Sequence, residues 1–243
     1  MCAICGHPSV QHGGLSRRNF LTLFGAAGAS LALSSRTLFA AGEVPKPQNV
    51  LSPEAALARL KQGNARYVDG TMKRHDFEGE RAALAGGQNP FAGILSCADS
   101  RIAPEYAFDA GRGDLFVVRV AGNFAEDDGI ASFEYAVKFL GTRLLVVLGH
   151  DKCGAVDAAI KAVADGAELP GHLPELVDHI APAVKKAMPL EGKLLANAIR
   201  ENVRLNVEKL KSTSPILREA ASSGQIKVVG GIYKLESGRI EWL

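Results

Sequence analysis

The sequence predicts an α/β domain with a mostly parallel central sheet, flanking helices and an N-terminal helical arm. Two patterns carry that expectation. Phe91–Cys97, Leu115–Val120, Leu144–Leu148 and Ile226–Val229 continuing to Tyr233 are short, nearly unbroken apolar runs, as strands buried on both faces are. Between them lie segments whose apolar residues recur every three to four positions, as crossover helices require. The size agrees, since 243 residues of which 47% are apolar suit one ordinary core. That fraction excludes a disordered chain, and 4 Cys are too few for a disulfide scaffold.

Residues 41–51, with Pro45 and Pro47, read as a linker into a domain spanning 52–243. Ser52-Pro53-Glu54 offers an N-cap serine and a proline at the first helical position, so a helix opens there and runs to about Val68, where Asp69-Gly70 ends it. After the strands at Phe91–Cys97 and Leu115–Val120, amphipathic spacing predicts helices over Ile130–Leu140, Val156–Ala164, Pro174–Met188, Leu194–Lys211 and Ile216–Ser222. The Leu144–Leu148 strand separates the first two helices, and Ile226–Tyr233 follows the last. Glu236-Ser237-Gly238 reads as a turn that brings a short strand, Arg239–Leu243, back antiparallel. No internal repeat or low-complexity stretch is present.

The chain carries 28 Lys+Arg against 26 Asp+Glu, a net of +2. Arg17, Arg18 and Arg36 are the only charged residues in 1–40, which leaves the body with 25 bases against 26 acids. A near-neutral body gives no footing for a nucleic-acid or anionic-membrane partner. The basic leader reads differently. Ser16-Arg17-Arg18-Asn19-Phe20-Leu21 precedes an apolar, Ala/Gly-rich run from Leu21 to Leu33 and then the small-residue region Leu38-Phe39-Ala40-Ala41. Residues 1–40 resemble a twin-arginine signal peptide, which implies export of an already folded domain to the periplasm by the Tat machinery. The apolar run is shorter than the roughly 20 residues a spanning helix needs and is broken by Gly25 and Gly28, so no stable membrane anchor is expected. Cys2, Cys5, His7 and His12 have the residue types of a small metal knuckle, but they precede the arginines and read as an elongated start of the leader.

Two places break the apolar strands with reactive side chains. Phe91–Ser96 leads into Cys97-Ala98-Asp99-Ser100-Arg101, and Leu144–Leu148 leads into Gly149-His150-Asp151-Lys152-Cys153-Gly154. Carboxyl ends of parallel strands are where doubly wound sheets bind ligands, so the two segments can converge there. Two thiolates and an imidazole form a Cys₂His set of the kind a catalytic zinc uses, with one coordination position left open. A structural zinc, two unconnected buried cysteines or a Cys97–Cys153 disulfide remain alternatives at this point. His75, His172 and His179 sit in polar or helical stretches and read as surface or core residues.

The same two segments resemble the paired zinc signatures of the β-class carbonic anhydrases. Gly113-Asp114-Leu115-Phe116-Val117-Val118-Arg119, Ala121-Gly122-Asn123, Phe133-Glu134-Tyr135-Ala136-Val137 and Val229-Gly230-Gly231 with Tyr233 follow in the family's order, so the resemblance covers roughly Ser52 to Leu243. It implies that Cys97, His150 and Cys153 bind one Zn²⁺ per subunit and that Asp99 and Arg101 form a catalytic carboxylate–guanidinium pair. It further implies that Gln88, nine residues before Cys97, and the aromatics Phe116 and Tyr135 contact substrate. Asp99 is expected either to be held by Arg101, leaving the metal open, or to take the fourth zinc position in a closed state; the match at Gln88 favours the open form.

The implied reaction is zinc-dependent reversible hydration of CO₂ to bicarbonate and a proton, by zinc-hydroxide attack on CO₂. Relatives that hydrolyse carbonyl sulfide or carbon disulfide on the same fold, and a noncatalytic zinc or redox module using Cys97 and Cys153, are the competing readings. The family also implies a homodimer or homotetramer, with the helix from Ser52 as the arm that packs across a partner.

Overall fold

The structure is a computed structural model that describes residues 50–243. The leader, its twin-arginine motif, its Cys and His residues and most of the linker lie outside the described residues.

Helix α1 (Pro53–Val68) begins where the sequence places it. The Ser52 hydroxyl accepts a hydrogen bond from the Ala55 N–H at 3.2 Å, Pro53 opens the first turn, and Glu54 and Arg66 complement the helix dipole at either end. Its apolar face is taken up by its own chain. Ala56 and Leu60 are fully buried in the core on one side of the sheet. Asn64 donates to the carbonyls of Ala107 and Gly238 at 2.9 and 2.8 Å and accepts from the Ile240 N–H at 3.0 Å. Gly63 has a packing reason to be glycine, because a Cβ there would stand 1.8 Å from the Phe108 carbonyl oxygen. Burying a leucine such as Leu60 contributes about 1.5–3 kcal/mol, so the expected arm is firmly docked on its own domain.

The sheet has five strands in the order β2-β1-β3-β4-β5. Strands β1 (Ala92–Ser96), β2 (Leu115–Arg119), β3 (Leu144–His150) and β4 (Lys227–Tyr233) pair in parallel, and β5 (Ile240–Trp242) closes the far edge antiparallel. Every residue of β1 and β3 is buried, whereas β2, on the other edge, is half-exposed. Helices cover both faces, as the unbroken apolar strands demand. On one face lie α4 (Asp127–Leu140), α5 (Gly154–Asp165), α6 (Leu173–Ala187), α7 (Leu194–Ser212) and α8 (Pro215–Ser222), packed against Leu95, Leu145 and Val147. On the other face α1 and the single turn α3 (Pro104–Ala107) pack against Ile94, Val146 and Leu148. Helix α2 (Phe77–Leu84) buries no residue. Neither α2 nor α3 was expected from the sequence, whereas the other elements end within about three residues of their expected limits.

Candidate metal centre

The chain leaves β1 to form β2 on one side and returns to form β3 on the other, so the strand order switches direction at β1 and β3. The carboxyl ends of two strands flanking such a switch open a crevice. Ser96 lies in register with Leu148, which brings Cys97, just past β1, beside the Gly149-His150 end of β3. Lys152, in the left-handed region at φ 53°, turns the chain back so that Cys153 caps the start of α5. A non-glycine residue there costs about 1 kcal/mol or more, and its gain is the return of a second sulfur to the same point.

The sulfurs of Cys97 and Cys153 and a ring nitrogen of His150 all lie within 4.8 Å of one another, and all three residues are buried. His150 Nδ1 donates to the Asp151 carbonyl at 2.8 Å, which leaves the lone pair on Nε2. That buried Nε2 has no hydrogen-bond partner, an arrangement that costs free energy unless something else accepts its electrons. The sulfurs are 4.0 Å apart and the thiols free, twice the length of a disulfide bond of about 2.0 Å. Two sulfurs on a tetrahedral zinc stand about 3.8 Å apart, so both spacing and donor set fit that ion. Among the described residues this is the one group of His, Cys, Asp and Glu side chains close enough to hold a metal.

The electrostatics favour a thiolate. Cys97 is lowered well below the ordinary thiol range, chiefly by the Cys153 thiol donating to its sulfur, with burial opposing and the Gly122 N–H assisting. Cys153 is raised because it keeps the proton it shares with Cys97. At His150 burial pulls the imidazole down, and the neighbouring Cys97 thiolate carries the net shift upward.

Asp99 stands at the rim. Arg101 holds its carboxylate through three hydrogen bonds, from the backbone N–H at 2.9 Å, from Nε at 2.9 Å to Oδ1 and from a terminal nitrogen at 2.7 Å to Oδ2. Those bonds keep the carboxyl far below its usual range against the opposing effect of burial. Asp99 Oδ2 lies 3.7 Å from His150 Nε2. The pair expected from the sequence is therefore formed, with Asp99 engaged by Arg101.

The three expected substrate contacts are elsewhere in the chain. Gln88 is exposed and precedes the opposite end of β1. Phe116 is in register with Gly93, four residues ahead of Cys97, which is about 13 Å along a strand. Tyr135, on α4, is 47% exposed and its ring lies 6.4 Å from that of Phe116 and 5.5 Å from that of Phe139. Within one chain these residues do not converge with Cys97, His150 and Cys153. His75 faces Glu80, His179 stacks on Phe124, and His172 caps α6, all away from the cluster.

Other residues build the centre without having stood out in the sequence. Arg119, at the end of β2, donates to the carbonyls of Cys97, Asp99 and Ile102 at 3.0, 2.8 and 2.8 Å and so fixes the loop that presents Cys97 and Asp99. Its signal was a lone charge ending an apolar strand. Asp151, besides orienting His150 through its carbonyl, accepts from the Leu235 N–H at 2.9 Å.

Comparison with known proteins agrees with this geometry. The profile of the family described as carbonic anhydrase matches residues 92–240. Carbonic anhydrase 2 of Mycobacterium tuberculosis is 40% identical over 190 residues, 77% of this chain and 91% of that protein. The structure of the β-carbonic anhydrase CcaA superposes with a TM-score of 0.59 at 27% identity, covering 76% of this chain and 94% of that one. The β-carbonic anhydrase of Coccomyxa in complex with acetazolamide gives 0.58 at 28% identity, covering 77% and 86%. With two cysteines and a histidine gathered at the strand switch, and with relatives that match about three quarters of the chain, the chain belongs to the β-class carbonic anhydrases.

Proposed function

We propose that this chain is a zinc-dependent carbonic anhydrase that interconverts CO₂ with bicarbonate and a proton, exported by the twin-arginine route to the periplasm and working as a homodimer or homotetramer. The observation that carries the catalytic part is the cluster of two sulfurs and an unpartnered imidazole nitrogen, with Asp99 clamped beside it by Arg101. Zinc bound there would supply a Lewis acid that makes water nucleophilic. Cys97, Cys153 and His150 Nε2 would hold the metal, and the Asp151 carbonyl keeps His150 in the tautomer that can do so.

Asp99 stays ionised, so its carboxylate accepts a hydrogen bond from the attacking water and turns the water's lone pair towards CO₂. Arg101 restrains the same carboxylate from moving onto the metal as a fourth ligand. Because the ligand set of this chain includes two thiolates, a bound zinc would acidify water less than with neutral ligands alone, and the rate is expected to rise above neutral pH.

Gln88, Phe116 and Tyr135 remain the substrate contacts of this reading. Because they stand at the wrong end of their own sheet, they are supplied by a neighbouring copy across the free edge of β2. There the rings give CO₂ an apolar wall and the Gln88 amide donates to a developing carboxylate oxygen. An unpaired, half-exposed edge strand is a surface that proteins ordinarily cover.

The test is stopped-flow CO₂ hydration by zinc-loaded residues 41–243 at pH 8.5, with metal content and sedimentation measured on the same sample. Fast, zinc-dependent proton release from an oligomer is expected. A full zinc complement without hydration would overturn the catalytic reading, and an active monomer would overturn the shared site. For export, Lys at both position 17 and position 18 should leave the protein in the cytoplasm.

A further inference from the structure

Helix α7 carries a polar pair where its neighbours are apolar. Ala198, Ile199, Val203, Val207 and Leu210 face the core, yet Asn202 and Asn206 lie among them, 1% and 5% exposed. Two amides in such a place cost stability unless they are fully hydrogen-bonded, and their bonding goes to one segment and to each other. Asn202 Nδ2 donates to the Gly122 carbonyl at 2.7 Å, and Asn206 Oδ1 accepts from the Ala125 N–H at 2.7 Å. Asn206 Nδ2 donates to both the side-chain oxygen and the carbonyl of Asn202, at 3.1 and 2.8 Å. That last contact fixes which end of the Asn202 amide faces Gly122.

The gripped segment turns sharply, with the Asn123 N–H donating to the Val120 carbonyl at 3.0 Å. Gly122 and Asn123 are successive left-handed residues, at φ 85° and 44°. Gly122 favours glycine because of its left-handed backbone, and a Cβ there would also crowd Ile180 Cδ1 at 2.5 Å and Ala155 Cβ at 3.3 Å; glycine is the residue with most backbone freedom to lose. The N–H of this same residue donates to the Cys97 sulfur at 3.3 Å.

We propose that Asn202 is a positioning residue for the metal centre: by holding the Gly122 carbonyl it fixes the left-handed backbone of that residue, and so the direction in which the preceding peptide's N–H points at Cys97, and Asn206 fixes Asn202 in turn. The proposal rests on Cys97 being a zinc ligand. The consequence is that helix α7, 80 residues away in the chain, sets how long the centre retains its ion. Groups that support a ligand in this way typically change metal affinity 10–100-fold when removed.

The experiment follows zinc release from the holoprotein into an excess of chromogenic chelator, together with the thiolate-to-metal charge-transfer band of the cobalt-substituted protein. Asn202→Leu should release zinc about tenfold faster or more and shift the cobalt band. Asn206→Leu should act in the same direction by about threefold, because Asn202 keeps its own contact with Gly122. Asn64→Leu removes a comparably buried asparagine that ties α1 to Ala107 and Gly238; it should lower Tm and leave release unchanged.

Wild-type release and an unshifted cobalt band in both α7 variants would overturn the proposal, as would equal acceleration by Asn64→Leu. If Asn202→Leu does not fold, Asn206→Leu decides by the same criteria. Cys97→Ala tests the underlying assignment separately: if it still binds one zinc per chain, the ligand assignment fails and the positioning role with it.

Discussion

Two regions of this domain make opposite use of their side chains. At the carboxyl ends of β1 and β3, hydrogen bonds converge on a buried cluster: Arg119 and Gly122 donate to the Cys97 loop and its sulfur from 22 and 25 residues away, Arg101 donates to Asp99, and the Asp151 carbonyl accepts from His150. Along the β2 edge, Phe116, Tyr135 and Phe139 meet one another, and the last two are 47% and 73% exposed. The three potential metal ligands meet within a single chain, whereas the edge leaves large rings exposed. Residues implied by one family resemblance thus divide into those the fold brings together within one chain and those it leaves apart from them.

The strongest attack on that contrast is Cys153→Ala. It should take zinc from one per chain to almost none and lower CO₂ hydration at least about 1000-fold, read by elemental analysis and stopped-flow on the same preparation; full zinc occupancy would remove Cys153 from the centre. Next comes the rim. Arg101→Ala and Asp99→Asn should keep the metal and lower turnover about 10–100-fold, the usual effect of losing a group that orients a metal ligand or its water. Loss of zinc in step with turnover would show that metal holding and proton handling are one function there.

How the two regions read from sequence follows from their physics. Cys97, Asp99, Arg101, His150 and Cys153 stood out because reactive side chains interrupt apolar strands, and the strand switch then brought them together. β3 runs on to His150, past the expected Leu148, because Gly149 and His150 stay paired with Ile232 and Tyr233 of β4. Helix α3 has only four residues, too few for any periodicity to register. Helix α2 buries nothing and contains Gly79, so no apolar face announced it. Arg119 and Asn202 act through contacts 22 and 80 residues away, which no local spacing encodes. Phe116 and Tyr135 have an ordinary aromatic pattern, and their distance from Cys97 emerged only with the sheet register.

Two further variants sharpen the contrast. Tyr135→Glu with Phe139→Glu should leave zinc content unchanged, shift sedimentation towards the monomer and lower turnover roughly tenfold; an intact oligomer would free these rings of any role in assembly. The smallest effect concerns Tyr233, in register with His150 and hydrogen-bonded to the Tyr67 hydroxyl at 2.9 Å. Burial, then the Tyr67 contact, raises its hydroxyl above the ordinary value. A raised acid of this kind contributes stability that is full below its unfolded pKa of about 10 and is lost as pH rises towards the folded value. Tyr233→Phe should cost about 1 kcal/mol at pH 8 for the lost hydrogen bond and flatten the decline in urea midpoint between pH 9 and 11. An unchanged alkaline slope would assign that decline to other groups.

Cys97 and Cys153 are 56 residues apart in the chain and meet only because β1 and β3 are neighbours. Neither turn can capture a metal alone, so the ion cannot seed folding as it does in a zinc finger. Parallel strands separated by a crossover pair slowly, and until they do, both thiols are open to oxidants; afterwards they are 3% and 1% exposed. The vulnerability of this centre to oxidation is therefore a matter of timing, concentrated in the interval between synthesis of Cys153 and closure of the sheet.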